Sequence, residues 1–301
     1  MSAYFANPLI GKGEDMEEIL QLHLELRDMI RTESRVMVNL CYTCGACDSG
    51  CPMNMATGLL MPRKLVWMAN LGLFGKLLNS SEIWYCIMCN HCTNNCPMTV
   101  KPSDLISYLR WKAVKEYIVL YENVSHYRSL MSKFQRLRWH MADACIKSGY
   151  VPDLEQNLSV WMEKKIELSD KTINLNETLS ASGWFPRRAA NCQSCFTCGE
   201  CSSTCPISVS RDIFDPVWIF RMANLGLLEE LANSPSIWLC LGCQRCTQAC
   251  SQGVRGHELI QDVREFALAQ GILDQGFLNR WMQSQQKLNK YLKYKIDQIF
   301  G

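Results

Sequence analysis

Sixteen of the chain's eighteen cysteines fall into four runs with one spacing, C-x2-C-x2-C-x3-C. The runs are Cys41, Cys44, Cys47, Cys51; Cys86, Cys89, Cys92, Cys96; Cys195, Cys198, Cys201, Cys205; and Cys240, Cys243, Cys246, Cys250. Proline follows the last cysteine at Pro52, Pro97 and Pro206, and Ser251 takes that place after Cys250. This is the run that holds [4Fe–4S] cubanes, with the fourth cysteine serving the other cluster of a pair. Three closely spaced thiolates wrap three corners of a cube, and the fourth corner is met more easily from across the domain. Crossed ligation is therefore expected. One cluster takes Cys41, Cys44, Cys47 and Cys96, and its neighbour takes Cys86, Cys89, Cys92 and Cys51. The second half repeats this with Cys195, Cys198, Cys201 and Cys250, then Cys240, Cys243, Cys246 and Cys205. Four [4Fe–4S] clusters per chain follow. Structural zinc pairs two C-x2-C knuckles across a long gap and leaves runs this dense unexplained.

Composition narrows the setting. The chain has 301 residues, enough to bury a core without disulfides. Its 31 Lys and Arg against 29 Asp and Glu give a net charge of +2, which argues against a basic nucleic-acid binder and against an acidic disordered chain. The first eleven residues carry no basic segment followed by an apolar one, and no stretch nears the roughly 18 apolar residues of a membrane span. The expectation is a cytoplasmic protein without a transmembrane segment, in a compartment where thiols stay reduced.

The runs lie in an internal repeat with an offset of 154 residues. Residues 41–113 align with 195–267 without a gap, and thirty of the seventy-three pairs are identical. Met68-Ala69-Asn70-Leu71-Gly72-Leu73 returns as Met222-Ala223-Asn224-Leu225-Gly226-Leu227, and Ile83-Trp84 as Ile237-Trp238. Between the cysteine runs the pattern is helical. Pro62 suits a first helical position, with Leu65, Met68, Ala69 and Leu73 at helical spacing and Gly72 at the end. Ser103 reads as the cap of a helix carrying Leu105, Leu109 and Ala113, and its repeat mate starts near His257 with Leu259, Val263 and Ala267. Residues 14–30 read as an amphipathic helix, and the polar stretch 168–183 as a linker. Nothing alternates at period two. The expected class is all-α: two tandem α-helical ferredoxin domains with helices between and flanking them. The boundaries are 1–120, a connector with polar linker at 121–190, and 191–301.

Some residues fall outside the ligand set. Cys192 extends the third run, yet its repeat mate is Val38; it reads as an alternative ligand, a reactive thiol or, foremost, a packed or surface cysteine. Cys145 reads as a small core residue. Ser251 restores an N–H that proline lacks, so the cluster ligated by Cys250 is expected to differ in potential from its counterpart, against the alternative of neutral drift. His91 and its mate Arg245 each precede a third cysteine, either as cations that raise a potential or as exposed loop residues. Trp84 and Trp238 stand to exclude water or to pack the core. The stretch 110–138 holds seven Lys and Arg against two Asp and Glu, and 280–295 is basic too. Both read by default as solvated helix faces, with docking to an acidic partner as the sharper reading.

The chain also resembles a known family. Cys41-Tyr42-Thr43-Cys44-Gly45-Ala46-Cys47, Pro62-Arg63-Lys64-Leu65, Asn70-Leu71-Gly72, Ile83-Trp84, Cys96-Pro97, Val100, Asp104-Leu105-Ile106 and Arg110 resemble the C subunits of heterodisulfide reductases, over roughly 41–115 and again over 195–270. The resemblance implies an α-helical two-cubane domain in each half. It also implies a hetero-oligomeric complex, in which electrons pass between a flavoprotein like the reductase's A subunit and a catalytic CCG-domain protein like its B subunit. The cysteine spacing is shared with iron–sulfur subunits of flavin-dependent hydroxy-acid, glycerol-phosphate and quinone-linked oxidoreductases, which are the alternative, and a cluster-based redox sensor is a further one. The chain has no G-x-G-x-x-G fingerprint and no Cys-Cys-Gly run, so neither a dinucleotide site nor the disulfide-reducing centre is expected in it. The expectation is a non-catalytic electron-transfer subunit with no nucleic-acid partner.

Overall fold

The computed structural model describes residues 24–166 and 190–301, and these contain helices but no strand. The expected linker at 168–183 and residues 14–23 of the expected N-terminal helix lie outside the described residues. From residue 24 that helix runs Leu24–Ser34 and buries Ile30.

Each half is built the same way. Proline opens the helix Pro62–Asn70 in the first half and Pro216–Asn224 in the second, where its missing N–H costs nothing. The two helices find their N-terminal partner differently. In the first, Asp48 accepts the Arg63 N–H at 2.9 Å from the preceding ligand loop. In the second, Asp215 caps Val217 from the adjacent position at 3.0 Å and is held by the Ser202 hydroxyl. Ser202 is the repeat mate of Asp48, so the carboxylate has changed sides while the cap persists.

The helices Pro102–Lys115 and Gly256–Ala269 follow the second run of each half. Ser103 does not cap the first of them. It lies inside the first turn, and Thr93 Oγ1 accepts its N–H at 3.2 Å, so the cap comes from the ligand loop across the fold. The side chains of Thr93 and Ser103 also meet at 2.6 Å, and in the second half their mates meet as Thr247 Oγ1 and His257 Nδ1 at 2.7 Å.

Two long helices hold the halves together. The bridging helix Tyr121–Ser148 packs on the last helix, Phe277–Phe300, and on the short helix Ser236–Leu239 of the second half. The last helix packs in turn on Ser81–Tyr85 and Pro52–Thr57 of the first half. The two helices share almost no sequence, yet their buried positions correspond at the repeat offset: Tyr127 with Trp281, Leu130 with Ser284, Phe134 with Leu288, Gln135 with Asn289, Arg138 with Leu292. Each half therefore lends its final helix to the other, and one continuous apolar core results. Cys145 is fully buried in that crossing, its Sγ 3.3 Å from Ser284 Oγ.

The basic stretch 110–138 is not simply a solvated face. Arg110, Lys112 and Arg138 turn inward: Arg110 bonds Ile83 O and Cys86 O, Lys112 pairs with Glu33, and Arg138 is 3% exposed. Sequence periodicity misses this because an arginine satisfied by backbone carbonyls can enter a core that a charge count reads as surface.

Candidate metal centres

The ligand loops share one backbone conformation that no helix or strand imposes. In all four runs the residues on either side of the second cysteine have positive φ: Thr43 and Gly45, Met88 and Asn90, Thr197 and Gly199, Gly242 and Gln244. Five of these eight are not glycine. Such residues cost on the order of 1–3 kcal/mol each and persist where the surroundings over-determine them. The conformation turns successive N–H groups inward as a nest, a shape suited to an anionic group such as an iron–sulfur cluster. Backbone N–H groups also point at sulfur: Thr43 to Cys41, Met88 to Cys86, Gly242 to Cys240, Val100 to Cys96 and Val254 to Cys250, each at 3.4 Å.

The loops then converge in pairs. One pocket is lined by Cys41, Cys44, Cys47 and Cys96. Another is lined by Cys51, Cys86, Cys89 and Cys92. A third is lined by Cys205, Cys240, Cys243 and Cys246. In each, three cysteines of one run meet the last cysteine of its partner. For Cys195, Cys198, Cys201 and Cys250, the helix Glu200–Thr204 packs on Arg245–Gln248. Asn191 Nδ2 then ties to Gln252 O at 3.2 Å, and Arg255 N to Ala190 O at 2.9 Å, drawing the end of the fourth run to the start of the third. Among the described residues no three His, Cys, Asp or Glu side chains close on a single ion. The thiols instead ring their pockets four at a time, an arrangement that suits an extended group.

The cradles differ in exposure. Cys44 and Cys198 are exposed, whereas Cys89, Cys92, Cys243 and Cys246 are buried. Burial pushes the Cys89, Cys205 and Cys246 thiols up to about 12, with neighbouring cysteines adding to the effect. Cys47 is pushed up to about 12 as well, by burial and then by the Asp48 carboxylate beside it.

The two buried cradles face each other across the seam between halves. His91 Nε2 meets Leu241 O at 2.6 Å, and Asn94 Nδ2 donates to Cys243 O at 3.3 Å. His91 is thus a half-buried seam residue. Its mate Arg245 carries a buried Nε with no hydrogen-bond partner beside Cys246.

Arginines reinforce the buried cradles. Arg110 Nη2 donates to Cys86 O at 2.6 Å, and its mate Arg264 donates to Cys240 O at 2.8 Å. Arg138 was not singled out by the sequence, and only the crossing of the long helices brings it here. Its Nη2 donates to Leu239 O at 3.0 Å and its Nη1 to Gln135 Oε1 at 2.8 Å. Burial, and then Arg264, push the Arg138 guanidinium down to about 10, which leaves it charged at neutral pH. Two like charges buried together with no carboxylate are costly unless an anion lies near. A cluster ligated by four thiolates is such an anion, so the residues present fit it.

The remaining candidates settle into the core or the surface. Trp84 stacks on Phe300 at 4.1 Å, Trp238 meets Phe277 edge-on at 4.6 Å, and both are buried. Cys192 is buried in a short turn where the first half buries Val38, and its carbonyl accepts from Asn224 Nδ2 at 2.9 Å. Ser251 is exposed.

Comparison with known proteins agrees with this architecture. The model of the 4Fe-4S dicluster domain matches residues 37–100 and again 191–254. Each half therefore holds a segment similar to 4Fe-4S dicluster domains, in keeping with its fold and cysteine cradles. The chain is also similar to C subunits of heterodisulfide reductases. It is 28% identical over 113 residues to the iron-sulfur C subunit of the CoB–CoM heterodisulfide reductase of Methanopyrus kandleri, covering 38% of this chain and 53% of the relative. It is 30% identical over 102 residues to a protein of Archaeoglobus profundus described as like the heterodisulfide reductase C subunit, covering 34% and 54%. With the second iron-sulfur C subunit of the CoB–CoM heterodisulfide reductase of Methanocaldococcus jannaschii it shares 38% over 73 residues, covering 24% and 38%. The chain spans about half the length of the curated relatives it matches. No solved structure matches it. No helix among the described residues is long and apolar enough to cross a membrane.

Proposed function

We propose that the chain is a non-catalytic electron-transfer subunit of a heterodisulfide reductase-like complex, working in the cytoplasm and holding four [4Fe–4S] clusters in two pairs. The ligand sets are Cys41, Cys44, Cys47 with Cys96; Cys86, Cys89, Cys92 with Cys51; Cys240, Cys243, Cys246 with Cys205; and Cys195, Cys198, Cys201 with Cys250. The observation that carries this reading is the meeting, in three pockets, of three cysteines from one run with the last cysteine of its partner run.

A cluster of this kind, when bound, gains and loses single electrons without opening a coordination site to substrate. The protein's part is to insulate and to connect. Buried side chains such as Met53, Leu60 and Ile106 in the first half, and Ile207, Phe214 and Ile260 in the second, line the inner cradles and exclude water. Exposed Cys44 and Cys198 leave the outer cradles open to partners. The contact of His91 and Asn94 with Leu241 and Cys243 supports transfer between halves, which joins the two pairs into one relay. We assign its ends to a flavoprotein like the heterodisulfide reductase A subunit and a CCG-domain protein like the B subunit.

Anaerobic purification with iron and acid-labile sulfide analysis tests the cluster count. About sixteen irons per chain are expected for four cubanes. A value below about twelve rejects the count. Co-purification of a CCG-domain protein supports the assigned complex, whereas a flavin-dependent hydroxy-acid oxidase in its place rejects it.

A further inference from the structure

The two inner cradles share their cysteine frame and differ in the charges placed around it. Arg110 and Arg264 are mates and make the same contacts with the carbonyls of the first cysteine in their runs. The long helices break the match. Arg138 reaches the second inner cradle from the bridging helix, bonding Leu239 O next to Cys240. Its mate on the last helix is Leu292, which is fully buried and carries no charge. Lys293 stands over Tyr85 in the first half at 5.7 Å, but Asp297 pairs with it and cancels its charge. Among the described residues, Arg138 has only the neutral Gln135 amide and a backbone carbonyl as hydrogen-bond partners. Beyond this pair of helices, the second half also has Arg245 where the first has His91.

We propose that Arg138 makes the cradle of Cys205, Cys240, Cys243 and Cys246 the higher-potential of the two inner sites, so that an electron crossing the seam settles in the second half. The proposal rests on the reading that both inner cradles hold [4Fe–4S] clusters. One-electron reduction adds one negative charge at the site, breaks no bond and takes up no proton. A buried, uncancelled cation stabilises that added charge more than a leucine does, because the surrounding dielectric is low. Arg138 acts through this field and touches no substrate, so it is a positioning charge rather than a catalytic residue.

The test is an EPR-monitored redox titration of the full chain, reconstituted anaerobically with iron and sulfide and reduced by dithionite. Signals are assigned by their loss in Cys89→Ser for the first inner site and in Cys243→Ser for the second. The wild type is expected to show the higher midpoint at the second inner site. Arg138→Met is expected to weaken electron uptake there by about tenfold or more, a fall of about 59 mV for one electron. Arg138→Lys should keep most of the wild-type value. Gln135→Glu leaves the guanidinium in place but cancels its charge, and it should lower the same midpoint even if Arg138→Met does not fold. The first inner site, whose Pro52 and Ile87 line one pocket with Gln135 and Arg138, should move less than the second in both cases. An inner pair with equal or reversed midpoints, or a second-site midpoint that stays put in Gln135→Glu, overturns the proposal. A wild-type chain that assembles no clusters rejects the functional reading instead, so the two failures are distinguishable.

Discussion

Crossed ligation has a consequence that iron counting alone can read. Cys44 and Cys96 line one cavity, whereas Cys51 belongs to the neighbouring cavity with Cys86, Cys89 and Cys92. Removing any one ligand should cost one cluster, about four of about sixteen irons. The double variants separate the alternatives. With crossed ligation, Cys44→Ala with Cys96→Ala removes two ligands of the same cluster and still costs about four irons. Cys44→Ala with Cys51→Ala then removes ligands of two clusters and costs about eight. If each run instead held its own cluster, the two results would exchange, because Cys44 and Cys51 would share a site. The assay is anaerobic reconstitution followed by colorimetric iron and sulfide determination, normalised to chain concentration. The expected ratio of iron lost between the two double variants is about two to one. Equal losses, or a greater loss in the Cys44 and Cys96 pair, would refute the cradle assignment.

Three other outcomes follow from the geometry. A Cβ at Gly256 would lie 2.1 Å from Phe220 Cζ and 3.1 Å from Cys246 Sγ. Gly256→Ala should therefore destabilise by about 1–3 kcal/mol through overpacking and lose iron from the second inner cradle; adding Phe220→Val should restore the iron, since Val66 and Pro102 occupy these places in the first half. Full iron content in the single variant would contradict the packing. The Cys89, Cys205 and Cys246 thiols are pushed from 9.0 up to about 12. Without clusters, the folded chain then holds these protons more tightly than the unfolded chain does. Its stability is retained below about pH 9 and lost as pH rises toward 12. Cluster assembly releases the same protons and is favoured by rising pH. Urea unfolding of cluster-free protein at pH 7 and pH 10, beside reconstitution yields at pH 6 and pH 8, checks both signs. Finally, His91→Ala removes the 2.6 Å bond to Leu241 O, worth about 0.5–1.5 kcal/mol. Hydrogen exchange should quicken across 240–244, and unchanged protection there would argue against the seam.

Much of the site is legible in the chain because cysteine spacing is local. Four thiols within a few residues declare a cradle whatever the rest of the fold does, and the 154-residue offset shows that it was built twice over. The helices Pro62–Asn70 and Pro216–Asn224 are equally plain, since a proline start and helical apolar spacing act within each segment. The loop conformation is only half legible. Gly45, Gly199 and Gly242 hint at positive φ, but Thr43, Met88, Thr197 and Gln244 give no such signal, because tertiary packing and not local preference holds them there. Ser103 looks like a cap and is not one, since Thr93 from another loop takes the role.

By itself the sequence determines the chemistry: sixteen thiols in four repeated runs, helices between them, and a near-balanced charge. The tertiary structure decides how those parts meet. It exchanges the long helices between halves, which their sequences conceal because only the burial pattern has been kept, not the residues. That exchange sets the inner cradles face to face through His91 and Leu241. It also carries Arg138 from a basic stretch of helix into the core beside Cys240. These are contacts between residues about one hundred or more positions apart, and no local rule of spacing or propensity encodes them.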